Sequence, residues 1–461
     1  MPESRHPFGE RLRTLRAHDL FAPAQWRRRI ALWSGGIVVG LAAIAFAQAS
    51  DYAYAGFQRI LAWSPWLPLI LTPAVFAGLS WLTEGALRQT RGSGIPQVIA
   101  ALTIEDAGFR SRLLSLPVAF GKMALTLVAL LGGASIGREG PTVHVGAGLM
   151  YWLGQRFGFT DAKVLSRFVL AGGGAGIAAA FNTPLAGVVF AIEELAGTYE
   201  HRFSGIVLTA VIFAGIVSLG VLGNYAYFGS VGATLPLGEG WLAIVACGVC
   251  GGLGGGLFAR LILPTDRGPL ARIGALRARG PVRFAAACGF ALALLGVFSG
   301  STIYGTGYLQ AHELVQSTHG AAAEFGLLKL AANTLSYWAG IPGGIFSPAL
   351  AVGAGMGHTL SALFVGTDPT VVVLLGMAAF LAGVTQAPLT AAVISLELTA
   401  NQSLVIPIMA ACLLARGVAT LACPTPIYRA FARRLVDDYE KLCDNTGSAN
   451  PRAARTQDDD A

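Results

Sequence analysis

Charge is what this chain has least of. Asp, Glu, Lys and Arg make up 12% of its 461 residues against 54% apolar residues, and the mean hydropathy is +0.61. A water-soluble domain of that length would carry far more charge, so the composition describes a polytopic membrane protein, and the expected fold class is all-α. Metal-ligand spacing is missing as well. The six cysteines are scattered, and Cys247-x-x-Cys250 has no second Cys or His pair at zinc spacing. They read as small packing residues, and neither a metal nor a cofactor is implied. The formal charge of +7 could suggest nucleic acid, but the basic residues cluster at the ends of apolar runs, as positive-inside topology requires.

Regular spans of about 20 residues are also scarce. Ile30–Gln48 and Pro68–Leu87 read as ordinary spans. Ala45-Phe46-Ala47 resembles a cleavage site, but the basic stretch before it is too long for a signal peptide. Beyond them the apolar pieces are uneven, and Ile95–Leu102, Pro141–Leu153, Pro184–Leu195 and Pro388–Leu398 are too short to cross. Interrupted helices at membrane depth are tolerated where they are buried in protein or line a cavity, which points to a permeation site. The expected organisation is a basic segment at residues 1–29, a membrane domain at 30–435 with halves near 30–230 and 240–435, and a charged, disordered tail at 436–461. Met1 to Arg29 carries seven arginines (Arg5, Arg11, Arg13, Arg16, Arg27, Arg28, Arg29), which places the N-terminus in the cytoplasm; the expected location is the inner (cytoplasmic) cell membrane.

Against this background one charged pair stands out: Gly137-Arg138-Glu139-Gly140-Pro141. No Asp, Glu, Lys or Arg occurs from Ala124 to Ile136 or from Thr142 to Gly154, so Arg138 and Glu139 lie at membrane depth. A charge at a spanning helix's centre costs about 2.5–3.5 kcal/mol on insertion scales, which makes Glu139 a candidate functional residue. Gly140 and Pro141 open a new helix, putting Glu139 at its positive end. Arg138 reads as structural, satisfying carbonyls or a carboxylate.

The motif recurs. Gly137-x-x-x-Pro141-x4-Gly146-Ala147-Gly148 returns as Gly344-x-x-x-Pro348-x4-Gly353-Ala354-Gly355 at an offset of 207. Pro184-Leu185-x7-Glu193 returns as Pro388-Leu389-x7-Glu397 at an offset of 204. Two halves of one architecture are expected to face each other, with the transport site between them. The repeat also separates two neighbouring carboxylates: Glu193 has its counterpart in Glu397 and reads as architectural, whereas Glu194 faces Leu398 and is left for special work.

Three motifs in this order, Gly92-Ser93-Gly94-Ile95-Pro96, Gly137-Arg138-Glu139-Gly140-Pro141 and Gly344-Ile345-Phe346-Ser347-Pro348, followed by Tyr428, resemble the CLC family of chloride channels and chloride/proton antiporters over about residues 30 to 435. The resemblance implies two inverted-topology repeats with broken helices meeting at a central anion site, in a homodimer within the lipid bilayer. It implies that Ser93 and Tyr428 donate hydroxyls, and Ile345 and Phe346 backbone N–H groups, to chloride. Gly92, Gly94, Pro96, Arg138, Gly140, Pro141, Gly344 and Pro348 would support that site. Glu139 looks like the gate, and Glu194 matches the internal proton-transfer position of exchanger members. In many exchangers Glu follows the first motif, where this chain has Gln97.

The expected function is proton-coupled chloride antiport, with protons and chloride as partners; the alternative is a passive voltage- or pH-gated chloride channel on the same fold. An intramembrane enzyme is the third class, raised by Ser347, His144 and His358 at apolar positions. No Gly-x-Ser-x-Gly elbow surrounds Ser347, and no His-Glu-x-x-His is present, so a non-enzyme is expected.

Overall fold

The computed structural model describes residues 23–197, 201–223, 225–235, 238, 240–263, 269–316 and 322–446. Nearly all of them are helical, and seven helices are long and apolar enough to cross a membrane: Gln25–Trp63, Ala107–Leu131, Ala162–Phe181, Gly205–Leu222, Gly240–Ile262, Pro281–Phe298 and Val405–Ala422. Between them lie the broken pieces foreseen from the sequence. Ile95–Thr103 has 9 residues, and Pro184–Phe190 has 7 and runs on through the wider helical turn Ala191–Ala196, so at about 1.5 Å per residue both fall well short of a ~30 Å hydrocarbon core. Proline sits in the first turn of both, where its missing N–H costs nothing.

Some boundaries differ from expectation. The first span is one continuous helix, Pro23–Trp63, of 41 residues, about 60 Å long, so it must tilt or emerge from the bilayer. Its start also places residues 23–29 of the expected N-terminal segment in the same helix, while residues 1–22 and their four arginines lie outside the described residues. The tail is not disordered from residue 436: Ile427–Thr446 is a single helix. It is held by tertiary contacts, since Tyr439 donates its hydroxyl to Asp106 at 2.8 Å and its ring lies 4.4 Å from that of Phe109. Residues 447–461 lie outside the described residues.

The repeat is expressed as duplicated packing. Glu139–Arg156 crosses Ala162–Phe181 where Gly146 and Gly172 each face the other's carbonyl so closely that neither position has room for a Cβ. Phe346–Ser361 crosses Pro369–Thr385 in the same way, with a Cβ at Gly353 or Gly376 falling 2.6 Å from the other's carbonyl oxygen. Lipid offers no hydrophobic drive between helices, so small residues that let backbones approach supply the packing instead.

The two halves also cap each other. Glu397 accepts from the backbone N–H groups of Leu185 and Ala186 at 3.1 and 2.6 Å, and Glu193 accepts from those of Leu389 and Thr390 at 3.2 and 2.6 Å. Each carboxylate thus satisfies two orphan donors at the N-terminus of the opposite half's short helix, where the helix dipole also favours it. This is the architectural role read from the repeat. Replacing Glu193 or Glu397 by Ala is expected to cost about 1–3 kcal/mol, measured as a lower unfolding midpoint in detergent. Unchanged midpoints in both variants would contradict the capping account.

Candidate functional site

The centre of the molecule is an exchange of two hydrogen bonds between the repeats. Gly137 N–H donates to the Gly344 carbonyl and Gly344 N–H to the Gly137 carbonyl, both at 2.7 Å, in an antiparallel bridge. From this bridge the chain enters two helices, Glu139–Arg156 and Phe346–Ser361, whose N-termini therefore converge. The loop before Ile95–Thr103 joins them. Gly343 N–H donates to the Gly92 carbonyl at 3.4 Å, and Lys122 Nζ, fully buried, reaches the same carbonyl at 3.2 Å.

Glycine is required at two points. Gly94 adopts φ +108°, a conformation that opens the short helix and that L side chains rarely adopt. At Gly140 a Cβ would collide with the Ser93 hydroxyl and come within 2.7 Å of the Ser93 carbonyl oxygen. The first two motifs are thus in direct contact.

Arg138 and Glu139, adjacent in sequence, go separate ways. Arg138 donates to the Ala47 carbonyl at 2.8 Å and to Asp51 at 2.7 Å, and the Asp51 side chain is 72% exposed. Glu139 is completely buried. Its carboxylate accepts a hydrogen bond from the Ser347 hydroxyl, and Ser347 N–H approaches its second oxygen at 3.5 Å. Ser347, considered from the sequence only as a nucleophile, is therefore a partner of Glu139. The signal was available: at the offset of 207 it is the counterpart of Gly140, and it stands in a first helical turn where free N–H groups gather.

Ser93 and Tyr428 are buried with their hydroxyls near enough to interact with each other, but neither hydroxyl has a partner at full hydrogen-bonding distance. Leaving a buried hydroxyl unpaired costs about 1–3 kcal/mol, so two together mark a place prepared for something that accepts hydrogen bonds. Phe346 backs this place with its ring: it stacks on Tyr428 at 6.0 Å and 11°, and meets Phe190 edge-on at 5.8 Å. Ile345 is the residue before the helix and Phe346 its first, so both backbone N–H groups lie at the helix opening. Tyr428 has Glu139 and Glu194 among its electrostatic neighbours. Glu194 is buried with Oε1 unpaired, and Arg429 and Glu193 are near it. Gln97 donates to the Arg91 carbonyl at 2.7 Å, tying down the loop that carries Ser93.

The residues of the enzyme reading are not assembled. His144 is bonded to the Leu113 carbonyl at 2.7 Å, and His358 follows Ser347 along one helix, about 16 Å away at 1.5 Å per residue. Ser135 has elbow-like spacing in Gly133-Ala134-Ser135-Ile136-Gly137, which the sequence reading passed over. Its hydroxyl is engaged by Lys329 at 2.8 Å, Asn333 at 2.7 Å and the Ile303 carbonyl at 3.0 Å, a structural node.

Inverted repeats, broken helices and a central cluster of helix N-termini define an integral membrane protein of transporter architecture. The family model of the voltage gated chloride channel matches residues 73–420, and the chain belongs to that family, the CLC family. The H(+)/Cl(-) exchange transporter ClcA of Cronobacter sakazakii is 28% identical over 432 residues, covering 88% of this chain and 89% of that protein. The protein of the same description from Yersinia pestis is 28% identical over 435 residues, covering 88% and 87%. The crystal structure of a slow cyanobacterial Cl-/H+ antiporter matches with a TM-score of 0.73 at 25% identity, covering 88% of this chain and 97% of that one.

Two glycine substitutions test the site's packing. Gly140→Ala is expected to displace the Ser93 loop and destabilise the protein by about 1–3 kcal/mol. Gly78→Ala, inside Pro68–Glu84 with nothing within 4 Å of the new methyl, is expected to gain about 0.5–1 kcal/mol. Thermal unfolding in detergent compares them, and equal midpoints would contradict the contact between the motifs.

Proposed function

We propose that the protein exchanges chloride for protons across the membrane, with chloride held between Ser93 and Tyr428 and the carboxylates of Glu139 and Glu194 carrying the protons. The observation that carries this reading is the pair of buried, unpaired hydroxyls flanked by those two carboxylates. A dehydrated chloride needs several weak donors and a positive field rather than a full counter-charge, because binding must stay loose enough for exit. Two hydroxyls and the N–H groups of Ile345 and Phe346 at the positive end of a helix meet that description. Apolar rings keep water from competing.

Glu139 is the gate. Ionised, it occupies the helix N-terminus that an anion would take; protonated, it has no reason to stay. Glu194 neighbours Tyr428 as Glu139 does, and it is buried with Oε1 unpaired, a position suited to passing protons toward Glu139. The relatives described as exchangers support antiport over passive conduction.

The active form is a homodimer in the cytoplasmic membrane, with the N-terminus in the cytoplasm. Exposed Leu185, Ile212, Ile216, Leu219 and Val405 line a groove of 690 Å³ that also holds Glu397, Asn401 and Gln402. Polar groups in such a groove suit a second protein copy better than lipid. The basic residues preceding the first span fix its orientation.

Proton movement driven by an imposed chloride gradient in proteoliposomes tests the function. The native protein is expected to move protons uphill. Glu139→Gln should retain chloride flux that no longer depends on pH and carries no protons. Glu194→Gln should stop protons while chloride flux persists. Chloride flux with no accompanying protons in the native protein would replace this reading with a channel.

A further inference from the structure

Glu139 does not rest on the helix N-terminus alone. Its carboxylate lies in a slot where a Cβ on Gly137 would strike it and would come 3.0 Å from Pro348 Cδ. Ser347 stands against it, with its hydroxyl and N–H both pointing at the carboxylate. The hydroxyl is buried and donates nowhere else among the described contacts.

We propose that Ser347 is a positioning residue for the gate: it latches the ionised Glu139 side chain in place and thereby sets the proton concentration at which the gate is released. The proposal rests on the gating role of Glu139 argued above and assigns a side chain to its control.

The physical basis is an asymmetry between the two protonation states. A backbone N–H can only donate, and a serine hydroxyl that donates to a carboxylate makes a charge-assisted bond, roughly twice as strong as its neutral equivalent. Both groups therefore favour the charged carboxylate. When Glu139 takes a proton, the N–H loses its anionic acceptor and the hydroxyl bond weakens, so docking loses much of its advantage. The other charged or titratable groups facing Glu139 are Arg138 on its own helix, Tyr227 in the connection after Leu222, and Tyr428 at the start of the last helix. Arg138 is committed to Asp51 and the Ala47 carbonyl. None of these three hydrogen-bonds the carboxylate; among the described residues Ser347 does.

The repeat shows why one serine suffices. Its counterpart is Gly140, which must lack a side chain so that Ser93 can approach, whereas the counterpart of Glu139 is Phe346. The two halves have diverged at the same pair of positions, one supplying the carboxylate and the other the hydroxyl that holds it.

Two readouts test the latch. Infrared difference titration of native protein against Glu139→Gln isolates the Glu139 carboxyl band without requiring transport. In Ser347→Ala the band is expected to appear at about tenfold lower proton concentration, a shift of about one pH unit to alkaline. The pH profile of chloride flux should move the same way, Ser347→Thr should restore both, and Ser347→Ala should have no effect on pH dependence in a Glu139→Gln background. An unmoved carboxyl band in Ser347→Ala, or a pH shift that persists without Glu139, would overturn the proposal. Native protein that moves chloride without protons would instead overturn the antiport reading, and the infrared titration would still decide the latch.

Discussion

Two hydrogen bonds between Gly137 and Gly344 hold the structure's halves in register, and every feature of the site depends on them. They fix where two helices begin, and hence where two sets of free N–H groups and two positive dipole ends converge. Non-helical backbone at membrane depth is affordable only when it is enclosed and paired. Here each repeat encloses and pairs the other's.

The same reciprocity governs the buried charges. Glu193 and Glu397 cap each other's half, Arg138 is neutralised by Asp51 and a carbonyl, and Lys329 is surrounded by the Ser135 hydroxyl and two carbonyls at 2.8 Å. Other buried polar atoms, such as the hydroxyls of Thr72 and Ser218, also lack a partner, so a missing partner carries meaning only where several converge. Ser93, Tyr428 and Glu194 do so, lying near one another across the repeat interface. Such a cluster suits a ligand that accepts hydrogen bonds.

Much of this was legible in the sequence because the constraint is local. Charge is expensive in an apolar chain, so Glu139 announced itself, and helix breaks need Gly and Pro at fixed places, so the motifs could be aligned at an offset. The same offset separates Glu193, which caps the opposite half, from Glu194, which has no acidic counterpart. Ser347 was harder, because a hydroxyl in a glycine-rich helix start is unremarkable until its partner is known to come from the other repeat. Helix ends set by tertiary contact were illegible for the same reason. Nothing within Pro23–Trp63 states that it will run unbroken, and the terminal helix persists to Thr446 because Tyr439 finds Asp106 and Phe109.

The central claim is that the unpaired hydroxyls of Ser93 and Tyr428 enclose an anion at the repeat interface. Anomalous diffraction from crystals grown in bromide locates such an ion directly. The account predicts a peak within hydrogen-bonding distance, about 3.0–3.5 Å for a large halide, of both hydroxyl oxygens. Bromide bound elsewhere in the membrane domain, with no peak between these two residues, would contradict it.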